Sequence, residues 1–287
     1  MIPISLLVAV LTLAGAEAPA PLRFGDVELS TGVRLHYAEQ GGPDGPAVIL
    51  LHGYSDSWFS YSRVLPLLPA GRRVFALDQR GHGDSGRPAD GYAMRDLAAD
   101  VIAFMDATRL ERATIVGHSM GSFVAQQVAL AAPERVERLV LVGSATTPRN
   151  IIGILELERA VEALADPVPV EFIDAFQRST VFHPVPEEFM ERAIAESRKL
   201  PARVWQAIMD GLLVTDTPAG LAGRAIPTRI FWGDRDTAFP RSEQDALLAL
   251  LPEAELLVYA ETGHALHWER PAQFARDLTA FVGAGGE

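Results

Sequence analysis

Short, nearly continuous apolar runs recur along this chain, and most of them are followed at once by Gly, His or Asp. The runs are 47–51 (AVILL), 73–77 (RVFAL), 113–116 (ATIV), 139–142 (LVLV), 228–232 (TRIFW) and 255–259 (ELLVY). Runs of this length are typical of strands that are covered on both faces, as in a parallel sheet. A partly alternating segment at 33–39 predicts one further, earlier strand.

Helical patterns separate the runs. Between 73–77 and 113–116, apolar residues recur at the three- and four-residue spacing of one helix face: Met94, Leu97, Val101, Phe104 and Met105. Further helices are predicted over 123–132, where Pro133 ends the pattern, over 242–250, and after Pro271. This alternation of strand and helix predicts an α/β fold, with a mostly parallel sheet and helices on both faces.

The alternation stops between 146 and 223. This segment contains no clear strand, is rich in helix formers and is interrupted by five prolines: Pro167, Pro169, Pro184, Pro186 and Pro201. We interpret 146–223 as a helical cap inserted into a core formed by 17–145 and 224–287. The cap is expected over the carboxyl edge of the sheet, where open α/β folds bind their ligands.

The first sixteen residues differ from the rest of the chain. Residues 4–13 form a short apolar run, and Ala14-Gly15-Ala16 has the A-x-A form of a signal-peptidase site. The run is too short to span a bilayer comfortably, and no Lys or Arg precedes it. We predict a signal peptide over 1–16 and export to the periplasm or the medium. The alternatives are a disordered or loosely docked N-terminal tail, or a wrongly assigned start codon.

Composition restricts the possible partners. The net charge of −12 disfavours phosphate backbones and anionic membranes, so neither nucleic acid nor a membrane is an expected partner. The chain has no cysteine, which excludes disulfides, a thiolate nucleophile and Cys-ligated zinc. The expected partner is a small-molecule substrate, and composition leaves the oligomeric state open.

A candidate nucleophile follows the run at 113–116. Gly117-His118-Ser119-Met120-Gly121 matches G-x-S-x-G, between a predicted strand and a predicted helix. In that context the serine lies on a tight strand-to-helix turn and its hydroxyl points outward. The pattern alone is weak evidence, so the flanking strand and helix are what favour Ser119 as a nucleophile.

Serine needs a general base within hydrogen-bonding reach. The chain offers seven histidines: His36, His52, His82, His118, His183, His264 and His267. His264 lies just beyond the last predicted strand, which places it at the same sheet edge as Ser119, and we predict that it is the base. His52 and His82 follow other strands and are expected to hold loop backbone, while His267 is expected to pack or cap.

The base needs an acid that fixes its tautomer. Asp234 and Asp236 directly follow the run at 228–232. Asp236 is farther into the loop and can reach towards His264, whereas Asp234 is expected to serve the turn or pair with an arginine. No carboxylate follows 139–142, where Gly143-Ser144 stands, so Asp236 is the predicted acid.

Acyl transfer also requires donors for the developing oxyanion. Tyr54 follows the run at 47–51 after His52-Gly53, and Met120 follows Ser119. We predict that the backbone N–H groups of Tyr54 and Met120 form this pair. The assignment depends on position alone, because backbone donors leave no pattern in a sequence.

Together these stretches resemble the α/β-hydrolase superfamily, in the capped branch that includes esterases, haloperoxidase-like perhydrolases and meta-cleavage C–C hydrolases. The resemblance covers 47 to about 283 and is carried by 52–58 (HGYSDSW), 78–85 (DQRGHGDS), 117–122 (GHSMGS), 233–240 (GDRDTAFP) and 261–271 (ETGHALHWERP). It implies an eight-stranded α/β-hydrolase sheet, the Ser-Asp-His order and the oxyanion loop, but it does not imply a substrate.

Three positions can be compared with the residues that the family usually has there. Asp78 resembles a residue that fixes a loop. Ser122 stands where the family often has a second glycine. Ser119 stands where haloalkane dehalogenases and epoxide hydrolases carry aspartate, so the resemblance implies neither of those two activities here.

The cap is rich in apolar residues: Ile151, Ile152, Leu155, Phe172, Phe176, Phe182, Phe189, Trp205, Met209 and Leu212. Most are expected in the cap core and about a third in the pocket wall, because a docked helix buries an apolar face. We predict that Tyr54, Trp58, Phe182 and Trp205 contact the substrate.

These residues predict a serine hydrolase that cleaves a small-to-medium, mainly apolar carboxylic ester or lactone through an acyl-enzyme, with no metal or organic cofactor. Perhydrolysis and C–C bond hydrolysis by the same residues stay open, since pocket geometry separates them. A hydrolase-like ligand receptor with slow turnover also stays open, because such a protein keeps the triad.

Overall fold

A computed structural model describes residues 20–149, 151–215 and 219–283. Eight strands are present in this part of the chain: β1 (Arg23–Glu28), β2 (Arg34–Gln40), β3 (Ala47–Leu51), β4 (Arg73–Leu77), β5 (Ala113–His118), β6 (Val136–Val142), β7 (Thr228–Gly233) and β8 (Glu255–Tyr259). The α-helices are α1 (Met94–Ala107), α2 (Met120–Ala131), α3 (Ile152–Glu162), α4 (Val170–Ser179), α5 (Glu187–Ser197), α6 (Ala202–Leu213), α7 (Arg241–Leu250), α8 (Leu266–Glu269) and α9 (Pro271–Val282). The predicted signal peptide lies outside the described residues.

The strands form one sheet in the order β1-β2-β4-β3-β5-β6-β7-β8. β2 pairs antiparallel with both β1 and β4, and all the other pairs are parallel. The predicted fold class, a mostly parallel eight-stranded sheet of the α/β-hydrolase type, is therefore confirmed. Leu51 of β3 pairs with Gly117 of β5, which pairs with Leu141 of β6, so neighbouring strands end at one common edge.

Each central strand is buried on both faces. In β3, Ile49 and Leu51 belong to one hydrophobic core, whereas Val48 and Leu50 belong to a second core on the opposite face. The first core also contains apolar residues of α1 and α2, and the second contains those of α9. This two-sided burial explains why the strands are continuous apolar runs rather than alternating ones.

β1 was not anticipated from the sequence. It is an edge strand of composition RFGDVE, and its residues are exposed or partly exposed. Such a strand lacks the apolar run that marks the central strands, and it depends on its pairing with β2.

Four of the described helices, α3 to α6, lie between β6 and β7, where the sequence predicts the cap. α3 packs on α6 and α4 packs on α5. We refer to this helical insertion as the cap; its boundaries at 146 and 223 stay a prediction. Among the described helices, none has both the length and the apolar character required to cross a bilayer.

Candidate active site

Ser119 occupies the turn between β5 and α2. Its backbone is in the left-handed region, with φ +52° and ψ −120°, which is strained for a residue with a side chain. The turn is held by the Ser119 N–H, which donates to the Val142 carbonyl at 2.9 Å. The serine is half-buried at the carboxyl edge of the sheet. This is the strand-to-helix turn that the G-x-S-x-G pattern predicts.

The two glycines of that pattern allow close backbone approach. A Cβ at Gly117 would lie 2.1 Å from the Gly121 carbonyl oxygen. A Cβ at Gly121 would lie 2.4 Å from the Leu51 oxygen and 2.6 Å from the His52 oxygen. The amino end of α2 therefore packs directly against the loop that follows β3, and only glycine permits this contact.

Ser122, where the family often has glycine, is fully buried behind the turn. Its hydroxyl donates to the Ser119 carbonyl at 2.6 Å, and its oxygen lies 2.7 Å from the hydroxyl of Ser144, which follows β6. Gln126 in turn donates to Ser144 at 3.1 Å. The substitution thus adds hydrogen bonds that tie the turn to β6.

His264 and Asp236 form a buried hydrogen-bonded pair at the same sheet edge. His264 lies beyond β8 and Asp236 beyond β7, and the distance from His264 Nδ1 to Asp236 Oδ2 is 2.8 Å. The other carboxylate oxygen accepts the N–H groups of Ala238 and Phe239, at 2.8 and 2.9 Å. With Nδ1–H held by the carboxylate, His264 Nε2 is left with a lone pair that can accept a proton.

Ser119 and His264 line one cavity of about 210 Å³ between the sheet edge and the cap. The core contributes Gly53, Tyr54, Asp56, His118, Ser119, Thr237, Ala238, Phe239, His264 and Trp268, and the cap contributes Gly153, Ile154, Leu157, Phe176, Gln177, Ser179, Thr180, Met209 and Leu212. The wall is mainly apolar. Of the cap residues singled out in the sequence, Phe176, Met209 and Leu212 are in it.

Three of the four predicted substrate contacts lie outside this wall. Trp205 is fully buried behind Tyr54, with the two rings edge to face at 5.1 Å. Trp58 packs against Phe24 on the outer side of its loop. Phe182 is half exposed. Helical spacing and proximity in sequence do not define which way these rings face, and Tyr54 alone of the four lines the cavity.

The two predicted oxyanion donors come from adjoining elements. Met120 is the first residue of α2, where backbone N–H groups have no partner within the helix and the helix dipole favours negative charge. Tyr54 lies on the loop against which α2 packs. Its phenol donates to the Trp205 carbonyl at 2.6 Å, and burial raises the pKa of Tyr54 well above its usual value. The phenol is thus engaged with the cap, and the backbone N–H stays the candidate donor.

Buried histidines surround the pair. His118 donates from Nε2 to the His264 carbonyl at 3.2 Å, and burial lowers the pKa of His118 well below its usual value, so its ring is neutral. His52 accepts the Gln79 N–H at 3.1 Å, and His82 bonds the Arg80 carbonyl. His52 and His82 hold loop backbone, as predicted for them. Burial lowers the pKa of His82 to about 4.

Asp56 is a wall residue to which sequence reasoning gave no role. Its carboxylate accepts from Gln177 Nε2 at 3.0 Å and from the Ser60 hydroxyl at 3.2 Å. Burial raises the pKa of Asp56 to about 6. A carboxylate two residues after the predicted oxyanion residue is a signal that the sequence does contain. Gln177 is 121 residues away on α4, and nothing in the sequence pairs it with this loop.

Asp78 holds the loop that follows β4. Its two oxygens accept the N–H groups of Trp58 and Asp84, each at 2.7 Å, which is the loop-fixing role that the resemblance implies. In the described part of the chain, His36, Asp78 and Asp84 are grouped closely enough to hold a metal ion. The Asp78 oxygens are committed to these backbone donors, and His36 Nδ1 lies 3.2 Å from Asp26, so the arrangement is explained without a metal.

Fold and site geometry together define an α/β-hydrolase. A family model described as alpha/beta hydrolase fold matches residues 46–271, and the chain belongs to this family. A protein from Burkholderia cenocepacia, provisionally assigned as an aryl esterase, has a similar structure with a TM-score of 0.83 and 26% identity, covering 91% of this chain and 98% of that one.

Two relatives extend the comparison. The dihydrolipoyllysine-residue acetyltransferase component of the acetoin cleaving system of Pseudomonas putida is 30% identical over 272 residues, which are 93% of this chain and 70% of the relative. Bifunctional epoxide hydrolase 2 of Sus scrofa is 38% identical over 135 residues, which are 46% of this chain but only 24% of the relative. Family and structural neighbours support a hydrolase as the class of enzyme.

Proposed function

We propose that the protein is a serine esterase that cleaves small-to-medium, mainly apolar carboxylic esters. The observation that carries the proposal is the placement of Ser119 on a strained turn in the wall of a cavity that His264 also lines, with His264 held by the buried Asp236. A nucleophile, a base and an acid that orients the base are the parts that acyl transfer by serine requires.

In the proposed first step, Ser119 Oγ attacks the ester carbonyl carbon while His264 Nε2 takes its proton. Asp236 holds Nδ1–H and stabilises the imidazolium that forms. The tetrahedral intermediate collapses, the C–O bond to the alcohol breaks, and His264 returns the proton to the leaving oxygen. Water then attacks the acyl-enzyme with His264 again as the base, which releases the acid and restores Ser119.

The backbone N–H groups of Met120 and Tyr54 are the proposed donors to the carbonyl oxygen. The packing of Gly121 against Leu51 and His52 brings the two segments together, which supports this pairing. Each donor of this kind is typically worth about 3–4 kcal/mol of transition-state stabilisation.

Serine at position 119 favours ester cleavage over epoxide opening. An attacking carboxylate converts an epoxide into an enzyme-bound ester, which water can cleave at the carbonyl. A serine alkoxide would instead form an ether with no carbonyl for water to attack, so turnover would stop. The similarity to the epoxide hydrolase therefore supports the shared fold rather than a shared reaction.

The test is hydrolysis of phenyl esters of increasing acyl length by the wild type and by Ser119→Ala, with Ser242→Ala as a matched control. Ser242 is exposed on α7 and outside the cavity wall. We expect turnover by the wild type and by Ser242→Ala, and a loss of about a million-fold in Ser119→Ala. Equal rates in Ser119→Ala and the wild type would exclude Ser119 as the nucleophile, and hydrolysis of styrene oxide in place of the esters would overturn the ester assignment.

A further inference from the structure

The cavity wall contains a buried carboxylate, Asp56, that has no role in the proposed mechanism. Asp56 lies on the loop after β3, two residues beyond Tyr54, and lines the same cavity as Ser119 and His264. Its exposed fraction is only 6%. An added Cβ at Gly53 would lie 3.2 Å from Asp56 Oδ2 and 2.9 Å from His118 Nδ1, so the carboxylate and the His118 ring both border Gly53.

Neutral donors converge on this carboxylate. Gln177 donates to Oδ1, and Ser60 lies 3.2 Å from Oδ2. The Ser60 oxygen also accepts from Trp268 Nε1 at 2.9 Å and lies 3.0 Å from His267 Nε2. When His267 is protonated at Nε2, it too donates to Ser60, and the single Ser60 proton is then directed to Asp56. This arrangement favours an ionised, acceptor-only Asp56.

Within the described residues, no Lys, Arg or His forms an ion pair with Asp56. The charge of His264 acts to lower the pKa of Asp56, but burial has the larger effect and raises it. Burial keeps the neighbouring His118 neutral. A buried anion without an ion-pair partner is unfavourable, and the raised pKa of Asp56 reflects this. A ligand that brings a hydrogen-bond donor or a positive charge to this point would relieve the imbalance.

We infer that Asp56 is a specificity-determining residue, and that it binds a hydrogen-bond-donating group, a hydroxyl or an ammonium, on an otherwise apolar ester. The inference rests on the proposed function. The cavity wall as a whole is mainly apolar, and Asp56 is the one carboxylate among its described lining residues, so a donor group on the substrate has one anionic partner and is oriented by it. The net charge of −12 also favours the approach of a cationic substrate.

The inference is tested with three phenyl esters whose acyl groups are isosteric: phenyl 3-methylbutanoate, phenyl 3-hydroxybutanoate and phenyl 3-aminobutanoate. They differ only in methyl, hydroxyl or ammonium at one carbon. Propyl and 2-hydroxyethyl butanoate form the matching pair for the alcohol side. The quantity to measure is the ratio of kcat/KM between each donor ester and its methyl isostere at pH 7. Comparing the hydroxyl ester with the ammonium ester shows whether the site prefers a neutral or a cationic donor.

We expect the wild type to prefer a donor ester over its isostere, and Asp56→Asn to reduce that ratio by about tenfold or more, since a hydrogen bond to a charged group is being weakened. Asp174→Asn is the matched control, because Asp174 is a partly exposed aspartate on α4 that pairs with Arg178. It should leave the ratio unchanged.

A merely structural role for Asp56 would lower kcat/KM for every ester alike, and that result would overturn the inference, as would a wild type without preference. If no ester is turned over, the proposed function fails, and binding decides the inference separately. Calorimetry on Ser119→Ala should show tighter binding of a donor ester than of its isostere, and adding Asp56→Asn should remove the difference. Equal binding of the two esters to Ser119→Ala would overturn it.

Discussion

Asp236 Oδ2 lies 2.8 Å from His264 Nδ1, and the carboxylate has no solvent-exposed surface. We expect Asp236→Asn to lower kcat for esters by about 10³–10⁴-fold, because an amide can donate to Nδ1 and hold the wrong tautomer. Steady-state kinetics with a phenyl ester measures the change. Asp234→Asn is the control, since Asp234 is exposed and paired loosely with Arg235 at 3.8 Å. Similar losses in both variants would contradict the assignment of Asp236.

The Tyr54 phenol and its backbone N–H have separate roles in the proposal. Tyr54→Phe removes the hydrogen bond to the Trp205 carbonyl, so we expect a loss of about 1 kcal/mol in the free energy of unfolding, measured with urea. The oxyanion donor is backbone, so kcat should change by less than about threefold. Tyr92→Phe, which removes a comparable bond to Pro88 outside the cavity, is the control. A hundredfold fall in kcat would show that the phenol takes part in the chemistry.

Gly121 permits the contact between α2 and the loop after β3. An alanine Cβ there would lie 2.4 Å from the Leu51 oxygen, and because the neighbour is backbone it cannot move aside cheaply. We expect Gly121→Ala to reduce the free energy of unfolding by about 3 kcal/mol or more. Gly42→Ala meets nothing within 4 Å and should change it by less than about 0.5 kcal/mol. Equal urea midpoints for the two variants would show that the close approach does not constrain the turn.

Leu157 belongs to the cap side of the cavity wall, on α3. Leu157→Trp should lower kcat/KM for long acyl chains by about tenfold while sparing acetate esters, because the added ring occupies space that a long chain needs. Ile152→Trp, on the same helix but 73% exposed and outside the wall, should leave the chain-length profile unchanged. A uniform loss across all chain lengths would mean that the cavity does not hold the acyl group.

The central sheet was predictable from the sequence for a physical reason. β3, β4, β5 and β6 are buried on both faces, so each is an apolar run that local composition reveals. β1 is exposed and depends on pairing with β2, so its sequence carries no comparable signal. The order of the motifs along the chain also placed Ser119, Asp236 and His264 at one sheet edge.

The cavity wall was not predictable in the same way. Trp205 and Met209 lie one turn apart on α6, yet only Met209 is in the wall, because the docking of the cap decides which part of a helix faces the cavity. The contact between Asp56 and Gln177 joins two segments that no local pattern relates. Such contacts depend on tertiary packing, which the periodicity of a single helix does not define.

Asp56 also makes a prediction about stability. The pKa of a solvated aspartate carboxyl is 3.8, and this is the value expected for Asp56 in the unfolded chain. In the folded protein the pKa of Asp56 is about 6, because burial disfavours the charged form. Between these pH values the folded protein holds a proton that the unfolded chain has lost, so the contribution of Asp56 to the free energy of unfolding falls as pH rises from 4 to 6. Asp56→Asn does not titrate and escapes this loss.

We therefore expect the stability of Asp56→Asn relative to the wild type to increase by about 2–3 kcal/mol between pH 4 and pH 7, measured by urea unfolding at intervals of one pH unit. The neighbours His118 and His267 are kept neutral by burial, which lowers the pKa of His267 to about 3, and His264 faces Asp56 in both proteins. The pKa of Asp78 is also raised to about 6, but Asp78 is present in both proteins, so its contribution to the pH dependence cancels in the comparison. For Asp174→Asn, the difference in the free energy of unfolding from the wild type should not change with pH. If the difference for Asp56→Asn also does not change with pH, the Asp56 carboxyl is solvated in the folded protein.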